Sequence, residues 1–361
     1  MEKGKIKNFF PGGNTSQGFY SFYDYLPYKT ERAFIIKGGP GTGKSTFMKK
    51  IGYEMTEHGY NIEFHWCSSD NNSLDGVVIP ALKLAILDGT APHMIDPENP
   101  GAVEEIVNLG EYWNSSYLRK HRQEIIKLNK LIKKRFKQVY HYLKIAKLVH
   151  DEWESYYIEG LNLNKANQKI AEIIDLILTE KSPSTPGPGR HLFASAITPG
   201  GVINYFDNLT EEIGRRFIVK GEPGTGKSTL IKKVADVIAK YGYEILYLHC
   251  GFVPESLDAI IIPGLDTAII NGTPPHTLEA KRDGDQIIDM MACVNLTVLK
   301  QYADEIAEVK SLFDGIMKRV FNHLKQAKET HDEIEEFYIT AMDFKQVENK
   351  RKEILREIFE L

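Results

Sequence analysis

The chain has 361 residues, 42% hydrophobic and 26% charged, with a formal net charge of -4. Those figures suit a soluble globular protein with room for two ordinary domains, and they exclude a chain that is basic throughout. Three cysteines, Cys67, Cys250 and Cys293, exclude a disulfide framework or a four-ligand zinc site and point to a reducing, cytoplasmic compartment.

The opening stretch Met1–Asn14 has no apolar core of signal-peptide length. No segment reaches the roughly 20 apolar residues that a membrane span needs. Ala33–Lys37, β-branched and aromatic, predicts a buried strand leading into a glycine loop. A helix is predicted from Lys44 to about His58, ended by Gly59. Asn61–Trp66 reads as a second strand, and Val77–Ile79 and Leu84–Leu87 as two short strands around a turn with Pro80. Beyond Pro100 the pattern turns helical to about Lys181, with breaks near Asn114–Ser116 and Gly160–Asn162. Apolar residues there fall on every seventh position: Leu118, Ile125, Ile132, Val139, Ala146 and Trp153. That stripe predicts a helix about 54 Å long, packed lengthwise on a partner as one arm of a helical hairpin.

The chain is written twice. A shift of 183 residues lays FIIKGGPGTGKST from Phe34 on FIVKGEPGTGKST from Phe217, and SLDGVVIPALKLAILDGTAPH on SLDAIIIPGLDTAIINGTPPH. About half of the positions from Phe34 to His93 are identical, against a background of roughly 6%. After a two-residue slip, YLKIAKLVHDEWESYYI from Tyr142 meets HLKQAKETHDEIEEFYI from His323. The heptad stripe recurs at Leu299, Ile306, Phe313, Val320, Ala327 and Ile334. The expected organisation is a first repeat at 1–181, a Pro- and Gly-rich linker at 182–190 and a second repeat at 191–361. The helical arms are expected to begin near 102 and 283.

Both repeats satisfy G-x-x-x-x-G-K-[ST], the phosphate-cradling P-loop pattern. The first runs Gly38, Gly39, Pro40, Gly41, Thr42, Gly43, Lys44, Ser45, Thr46; the second runs Gly221, Glu222, Pro223, Gly224, Thr225, Gly226, Lys227, Ser228, Thr229. Glycines let several backbone N–H groups face phosphate oxygens without an intervening Cβ. The helix N-terminus behind the loop adds unpaired donors and positive partial charge. Lys44 and Lys227 would reach the terminal phosphates, and Ser45 and Ser228 would ligate Mg²⁺. The fold class this implies is α/β: a duplicated P-loop NTPase domain with a mostly parallel sheet and flanking helices, loaded with ATP or another NTP and Mg²⁺.

Such a site also needs a carboxylate for the metal. Asp88, at the end of an apolar strand, is one candidate, and its counterpart is the uncharged Asn271. A water-orienting glutamate directly after that acid is missing, because Gly89 and Gly272 follow. Asp75 and Asp258, in Ser-Leu-Asp, are alternative metal or base carboxylates, with a turn or cap as the plainer reading. His93 and His276 could sense the γ-phosphate or be structural, and the pair His249–Cys250 reads as core packing.

From Arg119 to Lys147 there are eleven Lys and Arg and a single acid, Glu124. The stretch could meet nucleic acid, an acidic partner or an anionic surface, or be a solvated helix face. The second repeat mixes its lysines with Asp304, Glu305, Glu308 and Asp314.

The stretches FFPGGNT, KGGPGTGKST, DGTAPH and HLFASA resemble a family of uncharacterised bacterial tandem ATPases over the whole length. The resemblance implies ATP binding at Gly38–Thr46 and Gly221–Thr229. The loop is also similar to those of AAA-like ATPases, although no second homology region or arginine finger accompanies it. The leading expectation is Mg-dependent ATP hydrolysis coupled to movement of the helical arms. A small-molecule or nucleotide kinase, and a non-hydrolytic nucleotide-dependent interaction switch, are the alternatives.

Overall fold

In the computed structural model, which describes residues 2–91, 94–178 and 185–361, the chain opens with β1 (Ile6–Phe9) and a hairpin of β2 (Gly12–Thr15) and β3 (Gly18–Ser21). Then follow β4 (Arg32–Lys37), α1 (Lys44–Glu57), β5 (Ile62–Cys67), β6 (Asp70–Ile79), β7 (Leu84–Asp88) and β8 (Glu104–Asn108). The repeat closes with α2 (Ser115–Lys120), α3 (Arg122–Gly160) and α4 (Leu163–Ile177). The second repeat follows the same plan: β9 (Gly189–Phe193), β10 (Ser195–Thr198), β11 (Gly201–Asn204), α5 (Phe206–Leu209), β12 (Arg215–Lys220) and α6 (Lys227–Ala239). After these come β13 (Ile245–His249), β14 (Leu257–Ile262), β15 (Thr267–Asn271), β16 (Asp285–Asp289), α7 (Leu296–Gln301), α8 (Ala303–Ala341) and α9 (Phe344–Glu360).

Each repeat builds one six-stranded sheet, ordered β1-β5-β6-β7-β4-β8 in the first and β9-β13-β14-β15-β12-β16 in the second. In the first sheet β4 runs parallel to β7 and β8, β1 runs parallel to β5, and β6 is antiparallel to both neighbours. The tight β6–β7 connection is what lets β7 lie parallel beside β4 without a crossover helix of its own.

Three sequence expectations change here. β8 and β16 stand where the helical arm was expected to begin, so the arms start only at Ser115 and Leu296. Both strands are five residues long and begin with an acid, too short and too polar to show a period. The expected linker also loses its end, because Gly189 and Arg190 belong to β9; residues 182–184 of it lie outside the described residues. Arg190 makes a two-pronged ion pair with buried Glu63 at 2.7 and 2.8 Å. Burial pushes the Glu63 carboxyl up, but Arg190 and His65 outweigh it and hold the group well below the usual range.

The third change concerns the arms. Neither long helix folds back on its own repeat. α3 and α8, 39 residues each, lie antiparallel against one another. Val139 and Leu143 pack with Val320 and Leu324, Ala146 and Val149 with Val309 and Ile316, and Tyr157 with Leu299 and Ile306. The heptad stripe is real, but its partner is its own repeat copy. Tyr142 stacks on His323, the equivalent residue, with ring centroids 5.5 Å apart. Phe10 and Phe193, equivalent under the 183-residue shift, exchange backbone hydrogen bonds at 2.9 and 3.0 Å. Both contacts sit on a pseudo-twofold axis, as in an isologous dimer.

The crossing carries the last helix of each repeat to the other sheet. α4, capped by Asn162, places Ala166, Ile170, Ile173 and Ile177 on one face, a spacing of one amphipathic stripe. Those residues enter the core built from Phe217, Leu230, Ile231 and Val234 of the second repeat. α9, capped by Asp343, sends Val347, Ile354, Leu355 and Ile358 into the core of Phe34, Phe47, Met48 and Ile51 of the first. A third cluster joins Phe9, Leu26 and Val78 to Phe206, Leu248 and Ile261 across the axis. No helix among the described residues is long and apolar enough to cross a membrane.

The exchange predicts that Ile354→Ala, in the second repeat, damages the first. Ile354 is fully buried, so its truncation should cost about 2–5 kcal/mol. Urea unfolding followed at Trp66, which packs on that same cluster, measures it. A loss confined to signals from the second sheet would contradict the exchange.

Candidate functional site

At the C-terminal end of β4 the chain leaves the sheet through Gly38–Gly43 and enters α1 at Lys44. β12 feeds Gly221–Gly226 and α6 in the same way. Gly43 and Gly226, just before the helices, both have φ 88°, a left-handed conformation that a side chain would strain. Gly41 and Gly224 are also left-handed, at φ 66° and 80°. The buried Thr42 and Thr225 hydroxyls each donate to a loop carbonyl, of Gly39 and Glu222, at 2.8 Å.

The two lysines fold back over their loops. Lys44 Nζ donates to Gly39 O at 2.8 Å and Gly38 O at 3.2 Å. Lys227 Nζ donates to Gly221 O and Glu222 O, both at 2.7 Å. Burial lowers the Lys227 ammonium to about 8, with Asp258, Glu222 and Glu154 acting against that fall. Ser45 Oγ accepts from Leu74 N at 3.0 Å, and Ser228 Oγ accepts from Leu257 N at the same distance. Each hydroxyl therefore keeps a lone pair and its own proton for a further partner.

Parallel pairing brings the acids to the same edge. Asp88 ends β7 in register with Ile36 of β4, and its carboxylate lies 3.7 Å from Lys44 Nζ. Asp75 stands on β6 one step beyond the pair Gly76–Leu87, which makes it the cross-strand neighbour of Asp88. Burial pushes Asp75 up to about 7; the Tyr23 hydroxyl opposes the shift and the neighbouring Asp88 charge adds to it. Asp88 is itself raised by burial, with Lys44 and Thr90 pulling the other way. Two carboxyl groups this close in a dry place do not both ionise freely.

The second repeat resolves the same crowding differently. Asn271 stands where Asp88 does, and its amide donates to Asp258 at 3.1 Å. His276 Nε2 lies 3.0 Å from the other Asp258 oxygen. Burial alone would raise Asp258, but His276, Asn271 and Cys250 bring it below its ordinary value. His276 thus faces a carboxylate, and its counterpart His93 lies outside the described residues. His249 is spent on Pro254 O at 2.6 Å and on His191 at 2.8 Å, which leaves the His249–Cys250 pair as packing.

The chain matches no protein-family model, no curated protein and no solved structure.

Residues that sequence reasoning passed over lie beside both loops. His331, Asp332 and Glu335 on α8 have ligand atoms within 4.8 Å of one another, as do His150, Asp151 and Glu154 on α3. Glu335 accepts from Gly41 N at 3.3 Å, across the pseudo-axis. A Cβ on Gly41 would come within 2.8 Å of Glu335 O, and one on Gly224 within 2.3 Å of Glu154 O. Those glycines are needed for close approach as well as for φ. The signal was present in the repeat alignment, where His-Asp-Glu-x-Glu recurs, but distance in sequence hid its target. The cationic residues Lys127, Lys130, Lys133, Lys134, Lys137 and Lys144 occupy the exposed side of α3, while Lys147 pairs with Asp151.

Asp75 supplies a pH test. Its folded value is above its unfolded one, so folding holds a proton that the unfolded chain gives up. Wild-type stability from this group is full below about pH 4 and is lost as pH rises to about 7. Asp75→Asn should remove that slope and raise the melting temperature at pH 8 more than at pH 5. Parallel melting curves against pH for the two proteins would exclude the assigned environment.

Proposed function

We propose that the chain is a tandem P-loop nucleotide-binding protein that hydrolyses Mg-ATP and uses nucleotide loading to move its long helices. The observation that carries this reading is the conjunction at Lys44. A G-x-x-x-x-G-K-S loop joins an inner strand to a helix N-terminus, with Lys44 and Ser45 opening the helix and Asp88 3.7 Å from the ammonium.

The donor set fits a triphosphate and a divalent ion. Left-handed glycines leave the loop backbone without a Cβ between its amides and a ligand, and the first turn of α1 adds N–H groups and partial positive charge. Lys44 exchanges its two loop carbonyls for phosphate oxygens, a partner of full negative charge. Ser45 and Asp88 would hold Mg²⁺, which neutralises charge on the phosphates when bound. Asp75, behind Asp88, is pushed by burial up to about 7, so it carries only part of a negative charge at neutral pH beside the front carboxylate.

The repeats are unequal in this respect. Both retain the glycines, lysine and serine, so both load nucleotide. The second offers Asn271, committed to Asp258, in place of the front carboxylate. An amide oxygen supplies no charge to a partly dry metal site. The first site is therefore the faster one, and the second serves binding and regulation. Because each loop touches the long helix of the other repeat, filling a loop presses on a helix that ends in the opposite core.

Calorimetry on wild type should give two Mg-ATP sites per chain. Lys44→Ala and Lys227→Ala should each remove one, since each lysine supplies the charge facing the terminal phosphates. Lys44→Ala and Asp88→Asn should each abolish most steady-state phosphate release, and Lys227→Ala should leave most of it. Unchanged stoichiometry in the double lysine variant would end the nucleotide reading. Phosphate found on an added acceptor would favour a kinase, and tight binding with no turnover would favour a switch.

A further inference from the structure

An ATPase of this design still lacks a water-orienting carboxylate at the usual place, directly after the acid that ends the strand. Gly89 and Gly272 occupy the positions after Asp88 and Asn271, so no acid follows directly on either strand. Beyond Asp88 and Asp75, which stand on the strands beside Lys44, a further acid reaches the first loop from the other repeat. Glu335 lies 294 residues from Gly41 in sequence, and its Oε1 meets the Gly41 amide at 3.3 Å. That amide belongs to the phosphate-cradling motif, so the contact is with the donor a triphosphate would use.

The same arrangement is built twice. Glu154, equivalent to Glu335, lies against Gly224, equivalent to Gly41. The Glu154 carboxyl is raised by burial and lowered by the charges of Lys147 and Lys227, which sets it within electrostatic reach of the second loop's lysine. His150 stands 3.9 Å from Glu154, and His331 stands 3.7 Å from Glu335. Both histidine Nδ1 atoms are buried without a hydrogen-bond partner. Lys147 pairs with Asp151 as Lys328 pairs with Asp332.

Beside the triplet, Leu148, Val149 and Trp153 are matched by Glu329, Thr330 and Ile334, while Lys147 and Glu152 are kept with it as Lys328 and Glu333. The helix backbone also comes close enough to forbid a Cβ on Gly41 and Gly224, so the glutamates are held at the loops by backbone as well as side-chain contact.

We propose that each glycine loop is half of a composite site, completed in trans by the His-Asp-x-x-Glu cluster of the other repeat. Glu335 serves the Lys44 loop and Glu154 serves the Lys227 loop, each as the base that orients the attacking water. The proposal rests on the ATPase reading above. When nucleotide enters, Gly41 N–H turns from Glu335 to a phosphate oxygen and frees the carboxylate beside the terminal phosphate. The water oxygen forms a bond to the γ-phosphorus while the bond from that phosphorus to the β–γ bridging oxygen breaks. The electron pair leaves on ADP, and the water proton passes to Glu335 and then to solvent. His331 and Asp332 position that carboxylate.

The test uses the full chain with Lys227→Ala, so that only the Lys44 loop loads nucleotide. There Glu335→Gln should lower phosphate release by about 10²–10⁴-fold, the usual worth of a positioned base. It should also tighten Mg-ATP severalfold in calorimetry, because a competing negative charge at Gly41 is gone. Glu336→Gln, the same charge change one residue on and exposed, should alter neither. In the Lys44→Ala chain, Glu154→Gln should tighten Mg-ATP at the remaining loop. If Glu154→Gln is instead the change that alters affinity and turnover at the Lys44 loop, the sites are completed in cis and the proposal falls. If Mg-ATP loads but Glu335→Gln moves neither affinity nor turnover, the trans assignment alone falls. If the Lys227→Ala chain takes up no Mg-ATP, the nucleotide reading falls and takes this proposal with it.

Discussion

The antiparallel packing of α3 on α8 sets the arrangement of everything else. A helix of 39 residues is about 58 Å long, whereas a domain of 180 residues has a radius of gyration of about 16 Å. A chain that leaves its sheet along such a helix cannot return without a second helix of equal length. It does not return. The other repeat supplies the second long helix, and the ends of both are left standing at the opposite sheets.

Exchange of α4 and α9 follows from that geometry. Each is a short amphipathic helix with an apolar face, and the nearest apolar surface after the crossing belongs to the other repeat. Ile173 and Ile354 are therefore core residues of the repeat they do not belong to by sequence. The pseudo-twofold relation makes each contact occur twice, as Asn114 N to Ala341 O at 2.9 Å and Asn295 N to Gly160 O at 2.8 Å show. Neither core is complete within one repeat, so the stability of one half depends on residues of the other. The same crossing brings a helix backbone against each glycine loop and ties the loops to the helices mechanically.

Symmetry of the backbone leaves room for asymmetry of charge. In the first repeat Asp75 and Asp88 face each other on neighbouring strands with Lys44 nearby, and burial pushes both carboxyls up. In the second repeat one acid becomes Asn271, and its amide together with His276 satisfies the remaining carboxylate. Asn271 in place of Asp88, with Phe206 in place of Tyr23, leaves one acid where the first repeat has two. The fold tolerates both, because Asn is close to Asp in shape and the strand positions are the same.

Local pattern was enough for some features. The strand–glycine loop–helix unit and the heptad stripe of Ile125, Val139 and Ala146 lie within short windows, and the duplication shows when the chain is laid on itself. In the unit and the stripe, period or steric need acts on neighbouring residues. The chain also carried the His-Asp-Glu-x-Glu repeat and the Asp88–Asn271 difference in plain sight. Their surroundings could not be read the same way. That Asp75 opposes Asp88 depends on β-register, and that β8 is a strand depends on β4 being there to pair with five otherwise ambiguous residues. Which helix the stripe would choose was open as well, since a heptad specifies a partner's shape and not its address. Tertiary structure made that choice, because two equal stripes on one chain bury most when they meet each other, and the placing of Glu335 at Gly41 is a consequence of that meeting.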